Sequence, residues 1–125
     1  MKALVTGGAG FIGANLAITL EREGAKVIVL DDFSRGDYRN LVGFKGDVVA
    51  EGMEEVNLKG FKDVDVIFHQ AAITDTTVRN QKLMMQVNVG GFRRLLEFAV
   101  RLGIPFIYAS SAGTYGNIPG PQREE

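Results

Sequence analysis

Three glycines, Gly7, Gly10 and Gly13, stand at G-x-x-G-x-x-G spacing, and two carboxylates, Asp31 and Asp32, follow eighteen and nineteen residues after the last of them. These residue types suit the binding of a dinucleotide. Gly7 allows a tight turn, Gly10 lets the backbone approach a pyrophosphate, and Gly13 lets a helix pack closely on a strand. The phosphates would rest on free N–H groups at the positive end of that helix. Asp31 stands close to the spacing at which an acidic side chain reaches the adenosine ribose. A carboxylate there accepts two hydrogen bonds from the diol and repels a 2′-phosphate, which favours NAD over NADP. Arg35 and Arg39 in the following loop pull the other way and keep NADP open. Glycine is common here, 16 of 125 residues, so the motif counts through its context of strand before and helix after.

Other groups could do chemistry further along. His69 is the only histidine. A metal site needs several ligands and no partner cluster is visible, so a structural role is expected. Ala71 and Ala72 are small residues where the chain would pass beside the cofactor. Thr74, Asp75, Thr76 and Thr77 form a hydroxyl-rich stretch that either caps the next helix or also faces substrate. Ser110 and Ser111 open a Ser-Ser-Ala-Gly-Thr-Tyr-Gly stretch.

The elements that must position these groups alternate. Ala3 to Thr6 is a short apolar run, as in a buried parallel strand, and a helix follows through Glu23, with Ile12, Leu16, Ala17 and Leu20 at helical spacing. Gly24 stops that helix and Lys26 to Leu30 reads as the second strand. Phe33 to Gly43 is polar loop. A short third strand with a turn is expected over 43–48, a weak helix from Glu51 to Phe61, and a fourth strand from Val64 to Phe68. Arg79 to Leu102 reads as a long helix whose stripe of Val87, Leu95, Ala99 and Leu102 packs on the sheet. Gly103 ends it, Pro105 to Ala109 is the fifth strand, and 117–125 is loop and charge. This alternation predicts an α/β fold, a doubly wound parallel sheet of order 3-2-1-4-5. Ligands in such sheets bind beyond the carboxyl ends of the strands. Gly10, Asp31, Asp47, Ala71 and Ser111 are all expected at such ends.

The bulk numbers agree with one domain over 1–125. Apolar residues are 46% and charged residues 23%, as in ordinary globular proteins. A net charge of −1 gives no electrostatic reason to expect nucleic acid or a membrane surface. The absence of cysteine removes disulfides, a thiolate nucleophile and a zinc cluster. No apolar run approaches bilayer length, and the first strand begins almost at Met1, so a cytoplasmic protein is expected.

TGGAGFIG at 6–13, Asp31, GDV at 46–48, HQAA at 69–72, NVGG at 88–91 and SSAGTYG at 110–116 occur in order across the chain. Together they closely resemble the cofactor-binding half of the extended short-chain dehydrogenase/reductases, the NAD(P)-dependent nucleotide-sugar epimerases and dehydratases with a Rossmann-like fold. Within that family, HQAAITDTT, MMQVN and YASSAGTYG look most like the ADP-glyceromanno-heptose 6-epimerase branch, with UDP-glucose 4-epimerase-like enzymes second. The resemblance implies that Gly7, Gly10, Phe11, Ile12 and Gly13 form the pyrophosphate loop and that Asp31, beside Asp32, takes the ribose. It sets Asp47 and Val48 beside the adenine, and Ala71 and Ala72 beside the nicotinamide ribose. By the same resemblance Asn88 would help hold the active-site architecture, and Ser111 would bind the substrate oxygen as a catalytic hydroxyl, with Ser110, Thr74 and Thr76 expected on the substrate side. The implied mechanism is transient oxidation of a nucleotide sugar, with the hydride returned to the other face.

One family feature is missing. The base and its helper should form Tyr-x-x-x-Lys, but four residues after Tyr38, Tyr108 and Tyr115 stand Val42, Ala112 and Pro119. The expectation is therefore a fragment of a longer enzyme, truncated before the remaining strands and the substrate domain, inactive alone and a homo-oligomer when complete. A non-catalytic NAD(P)-binding module, or a dehydratase or reductase of the same family, are the alternatives.

Overall fold

A computed structural model describes residues 1–34, 36–70 and 90–108. Five parallel strands form one sheet in the order β3-β2-β1-β4-β5, as the alternation predicts. They are β1 (Lys2–Thr6), β2 (Lys26–Leu30), β3 (Asp47–Val49), β4 (Val66–His69) and β5 (Phe106–Tyr108). The first strand in sequence is the centre of the sheet. β1 pairs with β2 from Lys2↔Lys26 to Thr6↔Leu30, and with β4 from Ala3↔Val66 to Thr6↔His69.

The apolar runs are continuous because both faces are covered. Leu4, Ile28, Leu30 and Ile67 face one way, against Leu95, Phe98 and Ala99 of helix α2 (Phe92–Leu102) and against Met53, Val56, Phe61 and Val64. Val5, Val27 and Val29 face the other way, against Ala14 and Ala17 of helix α1 (Phe11–Arg22) and against Ala9 and Leu41. α1 meets the sheet with its small residues Gly13, Ala14 and Ala17, so its axis comes close to β1. Gly103 ends α2 in the left-handed conformation, φ 68°, that few other residues accept.

Several boundaries differ from the sequence expectation. The third strand is only Asp47–Val49, and 43–46 lie outside it. The expected helix over 51–61 is instead a turn, where Val56 N–H bonds Gly52 C=O at 3.0 Å, and then a 3₁₀ turn, Leu58–Phe61. Asn57 explains the break. Its side chain accepts from Lys59 N–H at 3.1 Å, offering the backbone a cap in place of a continued helix. The fourth strand is shifted to Val66–His69, and α2 is described only from Phe92. Phe98 takes the core position beside Leu95 and Ala99, while Leu102, the last residue of α2, remains exposed.

Candidate nucleotide-binding site

The glycine-rich turn leaves β1 at its carboxyl end. Gly7 has φ 67°, and its N–H bonds Leu30 C=O at 2.8 Å, which turns the chain sharply beside β2. Gly10 N–H returns to Gly7 C=O at 3.1 Å, and Gly10 C=O accepts the first helical bond, from Ala14 N–H at 2.9 Å. The N–H groups of Phe11, Ile12 and Gly13 precede that bond and take no backbone partner among the described residues. The first turn of α1 carries no acidic residue and Gly10 supplies no side-chain cap, so nothing in the helix offsets its positive end.

The glycines differ in what they make room for. A Cβ on Gly13 would lie 2.1 Å from Gly7 O, so Gly13 is required by the turn itself. A Cβ on Gly8 would lie 2.6 Å from Val29 Cγ1, a packing role that the spacing of the other three does not reveal, though the adjacent Gly7-Gly8 pair hints at it. A Cβ on Gly10 would meet only Gly7 O, at 3.4 Å. Among the described residues the space above Gly10 is open.

Asp31 follows β2 directly. Its Oδ2 accepts from Ala9 N–H at 2.9 Å and its Oδ1 from Phe33 N–H at 2.8 Å. The carboxylate is thereby fixed beside the glycine-rich turn, and each oxygen keeps acceptor capacity for a further donor. The loop beyond hangs on the same alanine. Asp37 N–H and Asn40 Nδ2 donate to Ala9 O at 3.0 and 2.8 Å. Gly36 presses against Ala9 and Asp31, where a Cβ would lie 2.7 Å from Ala9 Cβ. Gly36 and Asn40 went unread as site residues because a loop composition does not say which residues touch which turn. Asp32 serves the loop: its Oδ1 accepts from Ser34 N–H at 2.9 Å and from Ser34 Oγ at 2.7 Å.

Arg39 reaches Asp37, with Nη2 2.7 Å from Oδ2 and Nε 3.0 Å from the same oxygen. This pair lowers the Asp37 pKa, through its side-chain hydrogen bond first, and raises that of Arg39. Arg35 lies outside the described residues.

Asp47 is not where the sequence places it. Leu30 stands opposite Val49 and Ile28 opposite Asp47, so Asp47 is the first residue of β3, exposed at its amino end. Val48 is 38% exposed at mid-strand. The carboxyl end beside Asp31 belongs to Val49, whose C=O accepts from Asp31 N–H at 3.1 Å, with Ala50 and Glu51 following. Strand pairing, and not the GDV motif, decides which residues emerge at the ligand end.

His69 closes β4 directly beside Thr6 of β1. Its Nδ1 is 2.9 Å from Thr6 Oγ1, which also accepts from Gln70 N–H at 3.1 Å. Phe92 meets the imidazole edge-on and Phe106 stacks on it, with centroids at 5.5 and 5.6 Å. Burial lowers the pKa from 6.5 to about 4, so the ring is neutral at pH 7. This is a core histidine. No group of three His, Cys, Asp or Glu positioned for a metal exists among the described residues. Nor, among them, is any helix long and apolar enough to cross a membrane.

The geometry thus joins Gly7, Gly10, Phe11, Ile12, Gly13 and Asp31 in one place. Ala71, Ala72, Thr74, Thr76, Asn88, Ser110 and Ser111 lie outside the described residues.

Comparisons with known proteins bear on this assembly. Residues 3–125 match a sequence model of the NAD dependent epimerase/dehydratase family. The chain is 40% identical over 122 residues to ADP-L-glycero-D-manno-heptose-6-epimerase of Pseudomonas aeruginosa, covering 94% of this chain and 37% of that protein. The crystal structure of the Helicobacter pylori ADP-L-glycero-D-manno-heptose-6-epimerase superimposes with a TM-score of 0.85 at 44% identity, over 98% of this chain and 42% of that one. The UDP-glucose 4-epimerase of Thermus thermophilus, solved in complex with NAD, gives 0.82 at 32% identity, over 100% of this chain and 42% of that one. The chain thus spans about two fifths of the length of these relatives.

Proposed function

The chain belongs to the NAD dependent epimerase/dehydratase family, and on that premise we propose that it is the dinucleotide-binding part of a nucleotide-sugar epimerase. The observation that carries this reading is the set of unclaimed N–H groups on Phe11, Ile12 and Gly13, under the open space at Gly10 and beside the fixed Asp31 carboxylate. A pyrophosphate fits that cradle in charge, in donors and in room. Bound there, a nicotinamide dinucleotide supplies reversible hydride acceptance to a sugar carbinol.

The chain's own residues bind and orient. Phe11, Ile12 and Gly13 donate to the pyrophosphate, and Asp31 takes the ribose hydroxyls with its remaining lone pairs. Ala71 and Ala72 line the nicotinamide ribose, and Asn88 supports the site. Ser111 hydrogen-bonds the sugar oxygen that loses its proton, while Ser110, Thr74 and Thr76 face the sugar. A tyrosine with a pKa lowered by a neighbouring lysine, the pair the family resemblance implies, takes that proton. NAD is favoured over NADP because Asp31 repels a 2′-phosphate and Arg39 is engaged by Asp37.

The test uses the full-length protein with ADP-D-glycero-D-manno-heptose and, separately, UDP-glucose, followed by proton NMR. Inversion at one carbon without net consumption of NAD is the expected result. Dinucleotide binding with no turnover of any nucleotide sugar would favour the non-catalytic module instead.

A further inference from the structure

Arg94, in the first turn of α2, is the one long cation among the described residues that spans two backbone carbonyls. Its Nη1 donates to Met53 O at 2.6 Å and its Nη2 to Val56 O at 2.7 Å, in a part-buried setting. Those carbonyls belong to the turn after β3, whose own bonds run to Gly52 O from Glu55 N–H and Val56 N–H. The turn therefore leaves its Met53 and Val56 oxygens to the guanidinium, whose planar fork presents donors in a fixed geometry.

A second contact, from the N-cap residue of the same helix, holds the same turn. Gly91 abuts Met53, where a Cβ would lie 2.7 Å from Met53 Cε, and Met53 is buried. At its other end, the segment is tied to Asp31 through the 3.1 Å bond from Asp31 N–H to Val49 O. Ala50, Glu51 and Gly52 therefore run between two fixed points, Asp31 on one side and Arg94 on the other. In a doubly wound sheet, ligands bind outside the carboxyl ends of the strands, and Ala50, Glu51 and Gly52 leave β3 at that end, beside Asp31.

We propose that Arg94 is a positioning residue for base recognition: by holding the Gly52–Val56 turn it sets the backbone wall that meets the 6-amino edge of the adenine of a dinucleotide. This rests on the dinucleotide reading given above. Arg94 touches no ligand and acts only through the backbone it holds.

The experiment compares the full-length protein with its Arg94→Met and Arg94→Lys variants. Calorimetric titrations use NAD and nicotinamide hypoxanthine dinucleotide, which differ only in the base. Arg94→Lys keeps the charge and the aliphatic stem, but one ammonium cannot reproduce the two-pronged fork, so it serves as the test where Arg94→Met fails to fold. The expected result is a preference for NAD in the unsubstituted protein that falls about tenfold in the variants, because the wall is displaced. A purely structural role would weaken both ligands equally, and an unchanged ratio in a folded variant overturns the inference while leaving the dinucleotide site standing. Indifference of the unsubstituted protein to the base also overturns it. Failure to bind either dinucleotide overturns the reading of the site, and this inference with it.

Discussion

Asp31 Oδ2 accepts the Ala9 N–H at 2.9 Å, a bond that ties the end of β2 to the middle of the glycine-rich turn across 22 residues of chain. One carboxylate thus shapes the cradle and, on the function proposed, also binds what enters it. Such an arrangement is pre-organised: the acceptor is already held in place before a ribose arrives.

Replacing that carboxylate should be felt in binding. In the full-length protein, Asp31→Ala should weaken NAD by about 1–3 kcal/mol through the lost charge-assisted bonds. Isothermal titration measures this directly, and an unchanged affinity would remove Asp31 from the site.

Selectivity should move with charge. Asp31→Asn keeps the shape and removes the repulsion of a 2′-phosphate, so the ratio of NADP to NAD dissociation constants should shrink by about tenfold, or about 1.4 kcal/mol. A ratio that stays put would mean that selectivity lies elsewhere, with Arg35 as the next residue to test.

Two glycines should separate folding from binding. Gly13→Ala forces a methyl to 2.1 Å from Gly7 O and should cost about 1–3 kcal/mol of stability or more. Gly10→Ala has room in the unliganded protein and should leave stability within about 0.5 kcal/mol while abolishing dinucleotide binding. Denaturant titration and calorimetry on both variants would reveal the contrast, and equal stability losses would refute it.

Acid should loosen the sheet through His69. Its folded pKa of about 4 lies below the unfolded value of 6.5, so the unfolded chain binds the proton more readily between these limits. Stability from this residue is full above about pH 6.5 and is lost as the pH falls toward 4, in total about 3 kcal/mol. His69→Leu should flatten the dependence of the denaturation midpoint between pH 7 and pH 5. A slope as steep as that of the unsubstituted protein would assign it to other groups.

Ser111→Ala in the full-length protein should lower kcat about 100-fold, as for loss of one donor to the reacting oxygen, with NAD affinity unchanged. Retained turnover would place the substrate hydroxyl contact on another residue.

The central strands and the glycine-rich turn were legible because both depend on local signals. Val27 to Leu30 is a β-branched apolar run of strand length that follows the helix stop at Gly24, which reads as a strand buried on two faces, and Gly7 with Gly24 and Gly103 mark turns by the backbone they permit. Asp31 could be located because it directly follows one of those strands. Asp47 was misplaced because its position depends on pairing with a strand 19 residues earlier, and a one- or two-residue register shift is invisible in composition. The stretch from Glu51 to Phe61 reads as a helix only weakly, and Asn57 diverts the backbone within it by capping Lys59 N–H. Arg94 fell within the expected helix from Arg79 to Leu102 without a role of its own, since its acceptors are 38 and 41 residues away in sequence.

The central place of β1 has a consequence for how the polypeptide acquires its structure. Lys2–Thr6 leaves the ribosome before any of its neighbours, then waits through 24 residues for β2 and through a separation of 63 for β4. Closing that longer loop costs chain entropy before the new pairing returns any of it, which makes such topologies slow to form. β1 therefore holds a single neighbour through that whole interval, and until Val66 to His69 are synthesised its other edge remains open for another chain to pair with.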